Sequence, residues 1–285
     1  MVCCLKTANQ KKYCNKTKKS YYFFDRMKHK TFIIIFFSLF SSFGIYAQQS
    51  PIHFKVLSYN LRFGELASLE ELADFIKAQS PDVVAIQEVD VRTYRERAPR
   101  QNGKDFITEL GFLTGMFSAY GKTIPYKRGY YGIGILSKFP LASVERVYLP
   151  KTEKGKEQRA ILIANVEYEE NKFFTFACTH LDYTNTWERQ TQVNKINELF
   201  RTNPYPIIIA GDFNATPEST EIKKGMSSWK RLCGFDNTIP AKEPKNKIDY
   251  IFGKPIENWE IIDNQTYSIQ LSDHLPISAT VRMKE

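Results

Sequence analysis

Six short clusters hold the residues of this chain that could act on a reacting bond. Asn60 closes Ser58-Tyr-Asn60, Glu88 follows the apolar run Asp82-Val-Val-Ala-Ile-Gln87, and His180 and Asp182 share Thr179-His-Leu-Asp182. Asp212 and Asn214 lie in Gly211-Asp-Phe-Asn214, Asp249 lies in Lys247-Ile-Asp-Tyr-Ile-Phe252, and Ser272-Asp-His274 stands just before Pro276. Taken singly, each has an ordinary explanation as a turn former, a helix cap or a solvated strand end. Taken together they suit one task. Carboxylate and amide oxygens bind a hard cation such as Mg²⁺ or Mn²⁺, which keeps several waters and bridges to phosphate oxygens. Imidazoles near a bound phosphate stabilise its charge or protonate the departing oxygen. Zinc fits less well, because neither His180 nor His274 has a Cys neighbour or the helical two-His spacing. Gly-x-Ser-x-Gly and Walker-type phosphate loops are absent from the sequence, so neither a serine nucleophile nor a nucleotide cradle is indicated. Cys178, inside Phe173-Phe-Thr-Phe-Ala-Cys178, reads as a small buried residue, and Cys178 and Cys233 imply no disulfide framework.

The elements that must carry these clusters are short apolar runs alternating with helical patterns, the mark of a mixed α/β protein. Strands are predicted at 54–59, 82–87, 132–136, 160–166, 173–179, 206–210, 247–252 and 277–281. Ser68-Leu-Glu-Glu71 has the form of a capping box, and Leu69, Leu72, Ala73 and Ile76 then recur at helical spacing until Pro81. A second helix is predicted over about 187–200, with Val193, Ile196 and Phe200 on one face. The candidate residues collect at the C-terminal ends of these strands, where α/β sheets place their sites.

The chain has 285 residues and a formal charge of +9. That surplus is local: residues 1–30 carry nine Lys and Arg against Asp25 alone, so the rest of the chain is left near neutrality. Met27-Lys-His-Lys30 followed by the uncharged run from Thr31 to Tyr46 and a small residue at Ala47 has the layout of a signal peptide. The run is slightly short for a spanning helix, so cleavage is favoured over retention as a membrane anchor. Residues 1–26 are then expected to be a dispensable extension, 27–47 the signal peptide, and 51–283 one catalytic domain of an exported protein, periplasmic or extracellular. No Cys follows the apolar run, so lipoprotein anchoring is not supported.

The blocks Ser58-Tyr-Asn-Leu-Arg62, Asp82-Val-Val-Ala-Ile-Gln-Glu-Val89, Tyr131-Gly-Ile-Gly-Ile-Leu-Ser137, Thr179-His-Leu-Asp182, Gly211-Asp-Phe-Asn214, Lys247-Ile-Asp-Tyr-Ile-Phe252 and Ser272-Asp-His274 together resemble the endonuclease/exonuclease/phosphatase superfamily with the DNase I-like fold. The resemblance implies a four-layer α/β sandwich, two mixed β-sheets flanked by helices. It implies Glu88 as the main Mg²⁺ ligand, with Asn60 beside it and Asp273 completing the metal or phosphate environment. It further implies that Asp212 orients or deprotonates the attacking water, Asn214 holds that water and a phosphate oxygen, His274 paired with Asp249 contacts the scissile phosphate, and His180 stabilises the transition state or assists the leaving group.

For the substrate, the residues leave several readings open. Arg92, Arg95, Arg97, Arg100 and Lys104 form either a phosphate-gripping loop or a solvated face, and Tyr126, Tyr130 and Tyr131 either stack on substrate or pack in the core. Arg92, Arg95, Tyr131 and Asp182 are the candidate substrate contacts. A nearly neutral mature chain favours a small or lipid-linked phosphate ester, such as a lipid head group or an inositol phosphate, over nucleic acid. An extracellular nuclease is the second reading, and a non-catalytic binding protein on the same fold is the third. A monomer is expected.

Overall fold

In the computed structural model, residues 52–284 are described, and they lie within one compact unit spanning Gln49–Glu285. The expectations for 1–26 and for the signal peptide at 27–47 lie outside the described residues. In chain order the elements are β1 (His53–Asn60), α1 (Leu69–Gln79), β2 (Val83–Val91), α2 (Phe106–Thr114), β3 (Phe117–Tyr126), β4 (Gly129–Ser137), β5 (Leu141–Tyr148) and β6 (Ala160–Glu169). There follow β7 (Lys172–His180), α3 (Thr186–Leu199), β8 (Ile207–Asp212), the two-residue β9 (Lys230–Arg231), β10 (Asp249–Lys254), β11 (Trp259–Thr266) and β12 (Ile277–Met283).

These strands form two six-stranded sheets, β11-β12-β1-β2-β4-β3 and β5-β6-β7-β8-β10-β9. Both are mixed: β1 pairs parallel with β2, β7 pairs parallel with β8, and the remaining pairs are antiparallel. A parallel pair needs a crossover, and α1 and α3 supply one in each sheet. The capping box of α1 is formed as predicted: Glu71 N–H donates to Ser68 Oγ at 3.2 Å and Ser68 N–H donates to Glu71 Oε2 at 2.8 Å.

Two apolar clusters hold the layers together. Phe54, Val56, Val83 and Ala85 of the first sheet pack with Leu162, Ala164, Phe174 and Phe176 of the second, while Leu57, Ile86 and Leu136 pack with Leu72 and Ile76 of α1 and Leu110 of α2. The alternation of inward and outward residues along β1 therefore feeds one cluster from each face of the strand. The four-layer α/β sandwich expected from the sequence is the observed architecture. Among the described residues no helix is long and apolar enough to cross a membrane.

Candidate active site

Register places the chemistry. In the second sheet His180, the last residue of β7, lies opposite Asp212, the last residue of β8, and Asp212 lies opposite Asp249, the first residue of β10. Three adjacent strands thus deliver three titratable side chains to one sheet end. In the first sheet Asn60 ends β1 opposite Gln87 of β2. Glu88 follows at φ 59°, within an irregularity of the β2–β4 register between Gln87 and Val89. Such a bulge re-aims a side chain that regular alternation would send elsewhere.

Gly211 makes the second strand end possible. Its φ is +155°, and a Cβ built there would sit 2.0 Å from the carbonyl oxygen of Thr179 on the neighbouring strand. Only glycine permits that approach, and Asp212 is positioned by it. Asn214 then takes φ 49°, a conformation asparagine tolerates. Its backbone N–H donates to Asp212 Oδ1 at 2.8 Å and its Nδ2 to the carbonyl of Leu181 at 3.1 Å.

The two sheets meet through Asn60. Its Nδ2 donates to Glu88 Oε1 at 3.2 Å and to Asp212 Oδ2 at 3.1 Å. On the other side of Asp212, Oδ2 lies 3.5 Å from His180 Nε2 and 3.7 Å from His274 Nε2. His274 Nδ1 is held by both oxygens of Asp249, at 2.9 and 3.2 Å, which leaves Nε2 facing the site. Thr238, fully buried, donates its hydroxyl to Asp249 Oδ2 at 2.5 Å and so fixes the carboxylate.

The two histidines differ in protonation. Burial disfavours the charged form of His274, but the carboxylates of Asp249 and Asp212 outweigh it and raise its pKa to about 10. His180 is pushed well below the usual imidazole range by burial and then by the positive charges of Arg159 and His274. Its contact with Asp212 is therefore that of a neutral ring, not an ion pair. Burial raises the pKa of Asp212, with the charge of Asp249 adding to the effect. Glu88 is raised by burial as well, partly offset by its bond from Asn60.

These groups lie at a pocket of about 350 Å³ whose lining includes Glu88, His180, Asp212, Asn214 and His274. Its walls carry Tyr131, Tyr126, Arg95, Arg97, Arg159 and Tyr183. Arg95 is held by both oxygens of Asp90, at 2.5 and 2.9 Å, with its guanidinium 4.1 Å from the Phe63 ring and 4.2 Å from the Tyr126 ring. Tyr131 is buried at the wall, and burial together with the charge of Glu88 keeps its phenol protonated.

Two expected substrate contacts are placed elsewhere. Arg92 is exposed and does not line the pocket. Asp182 is fully buried, and its Oδ1 is committed to the backbone N–H groups of Thr184 and Asn185 and the Thr184 hydroxyl. It shapes the turn before α3. Asp273 is ion-paired with Arg62 at the edge of the site. Arg159 and Thr238 were not among the sequence candidates. Arg159 is 2% exposed, its Nε has no partner, and it lines the pocket with only Glu157, at 3.4 Å, as a salt-bridge partner among the described residues. No sequence signal separates it from a surface arginine at a strand start.

The sequence profile of the Endonuclease/Exonuclease/phosphatase family matches residues 57–274, a span running from β1 through every residue of this site. The chain belongs to that family. Family members are hydrolases acting on phosphoester bonds, and this chain is an enzyme of that class. Uncharacterized protein YbhP of Escherichia coli K12 is 27% identical over 267 residues, covering 83% of this chain and 99% of its own length. Among solved structures, a functionally unknown conserved protein of Enterococcus faecalis V583 superposes with a TM-score of 0.67 at 19% identity, covering 81% of this chain and 100% of that one. Mannosyl-6-phosphatase Bt3783 of Bacteroides thetaiotaomicron VPI-5482 superposes with a TM-score of 0.62 at 15% identity, covering 80% and 99%. At those identities the structural likenesses show the fold.

Family enzymes generally use divalent metals, and the donor chemistry here fits one. Glu88 is half-buried and makes no ion pair among the described residues, while one amide nitrogen serves both it and Asp212. Hard oxygen donors in local excess suit Mg²⁺ or Mn²⁺. Ligand atoms of Asp212, Asp249 and His274 also lie within 4.8 Å of one another.

Proposed function

We propose that this family member is a divalent-metal-dependent phosphoesterase acting outside the cytoplasm on a small or lipid-linked phosphate ester. The carrying observation is the meeting of Glu88, Asp212, His180 and His274 at one pocket. Glu88, with Asn60 beside it, would hold the Mg²⁺ or Mn²⁺. The ion, when bound, supplies Lewis acidity and charge neutralisation at the phosphate oxygens.

The chain's own residues do the rest. Asp212, as carboxylate, takes a proton from the attacking water while Asn214 fixes the loop beside it. His274 presents a protonated Nε2 to the phosphate, and its Nδ1 is not available because Asp249 holds it. Neutral His180 offers a hydrogen bond to a phosphate oxygen or the leaving oxygen. Arg159, a nearly buried cation at the wall, attracts the anionic substrate. The new P–O bond forms from the water oxygen, the old one breaks, and the leaving oxygen takes a proton from the imidazole side. Such a reaction is mainly positioning and charge neutralisation, which a preformed polar pocket provides.

A pocket of about 350 Å³ suits one phosphate ester and its neighbouring group. The near-neutral chain beyond residue 30 and the phosphatase among the structural neighbours favour the same class. Export is inferred from the basic and then apolar N-terminal run. Purified protein with Mg²⁺, Mn²⁺ or EDTA, assayed on an aryl phosphodiester, sphingomyelin, inositol phosphates and plasmid DNA with Glu88→Ala as control, tests the reading. Metal-dependent turnover absent from the control is expected. Turnover of none by a folded protein that binds Mn²⁺ would favour the binding-protein alternative.

A further inference from the structure

We infer that the mouth of the pocket is a docking surface for an anionic lipid membrane, which presents the substrate head group to the site. The inference extends the lipid-linked reading above, on which it rests for the substrate but not for the docking. One lip is the loop between β5 and β6. It carries exposed Lys151, Lys154 and Lys156 against exposed Glu153 and half-buried Glu157, and Glu157 itself lines the pocket. A buried glutamate fastens this loop to α3: Glu188 accepts from Thr152 N–H at 2.9 Å and from the Thr152 hydroxyl at 2.6 Å. Gly155 allows the approach, since a Cβ there would lie 2.6 Å from the same carboxylate. The residue before Glu188 is Trp187, 62% exposed, and Tyr183, 51% exposed, lines the pocket. The lysines and these two aromatics are therefore held together at one lip.

The other lip adds Lys127 and Arg128. The groove beside Phe63 and Tyr126 is bordered by Lys127, by Glu96 and by Arg97, which is paired with Glu65, and the adjoining loop and hairpin expose Tyr94 and Arg128. Cations cover the ring faces on both sides: Lys156 lies 5.9 Å from the Tyr183 centroid and Arg128 5.7 Å from that of Tyr94. A cation over one face leaves these rings less open surface for stacking a nucleobase. They remain suited to an interface, where amphipathic rings sit at head-group level and lysines meet anionic lipid. Trp187 has no covering cation among the described residues, and it is the residue expected to enter the interface.

Of the chain's three tryptophans, Trp229 and Trp259 are buried, so a change in tryptophan emission on binding reports chiefly on Trp187. The test adds the full chain to vesicles of phosphatidylcholine alone or mixed with phosphatidylglycerol, some bearing a doxyl quencher at shallow depth. A blue shift and quenching on the anionic vesicles are expected, weakening as salt rises. Replacing Lys151, Lys154 and Lys156 by Gln should reduce binding by about a hundredfold, at roughly fivefold per lysine. Trp187→Ala should abolish the emission change, and both variants should keep turnover of a soluble aryl phosphodiester. A Trp187 emission left unshifted by the anionic vesicles would overturn the inference. So would Trp187 quenching by an oligonucleotide at physiological salt that anionic vesicles do not match. Vesicle docking without turnover of any phosphoester would instead defeat the proposed function and leave the docking surface standing.

Discussion

Replacing Asp249 by Asn tests how His274 keeps its proton. Asp249 grips Nδ1 with both oxygens and is the main group raising the imidazole to about 10. The substitution keeps the shape and removes the charge. A hydrogen bond to a charged partner contributes about 1.5–3 kcal/mol, and about 1.4 kcal/mol corresponds to one pH unit. The imidazole should therefore release its proton roughly one to two pH units lower. Burial adds to the fall, while Asp212 at 3.7 Å limits it. The sign follows from the role: the protonated ring is the active one, so activity is lost as pH rises through its pKa. Measured as kcat/KM from pH 6 to 9.5 at saturating Mg²⁺, the native enzyme should stay nearly flat on the alkaline side. The variant should decline from about pH 8, ending roughly tenfold below its own value at pH 6.5. Circular dichroism would establish that it folds. Native and variant profiles that superpose after scaling would refute the assignment of a cationic His274.

Four further outcomes are expected. EDTA should abolish turnover reversibly, and Mn²⁺ at a hundred times its Kd should add about 2.7 kcal/mol of stability to the native protein in urea titration and far less to Glu88→Ala. Thr238→Val removes a buried donor to Asp249, and chemical denaturation should register a loss of about 1–3 kcal/mol together with a fall in kcat. Gly211→Ala forces a Cβ to within 2.0 Å of the Thr179 carbonyl, so the urea midpoint should fall by an amount equivalent to more than about 2 kcal/mol. Because burial and Asp249 raise Asp212, the acid limb of the pH–rate profile should lie above the ordinary carboxylate range, and it should move down as Mg²⁺ concentration rises.

The sequence made the interior strands legible and the edges illegible, for a physical reason. β1, β2, β4, β6, β7, β8, β10 and β12, all bordered on both sides, carry the apolar runs that locate them. The strands it did not reveal are β3, β5, β9 and β11, the four sheet edges. β5 and β11 are mostly exposed, so their residues lack the buried alternation that marks a strand. The helix α2 was also missed, being short. At the site, residues fixed by position at a strand end could be found: His180, Asp212 and Asp249 announce themselves by type. Arg159 and Thr238 act through burial, a property no local pattern discloses. Asp182 belongs to a recognisable block yet points into its own turn, since an aspartate three residues before a helix cap is equally suited to hold the backbone.

The site is a product of sheet packing more than of either sheet. Asn60 and Glu88 come from the first sheet, His180, Asp212 and Asp249 from the second, and the two halves touch through the Nδ2 of Asn60. Just behind this contact Gln87 Nε2 lies 3.5 Å from Cys178 Sγ, and that thiol lies 3.4 Å from the carbonyl of Ile86. Cys178 is two residues from His180, and Gln87 precedes Glu88. Burial pushes the thiol up to about 12, so it serves as a packed contact and not as a nucleophile. Because interiors transmit strain instead of absorbing it, any change in the sheet separation at this contact displaces Glu88 relative to Asp212. The distance between those carboxylates decides whether both can serve one substrate. The apolar core between the sheets is accordingly part of the catalytic geometry, and its packing sets the span that the phosphate must fit.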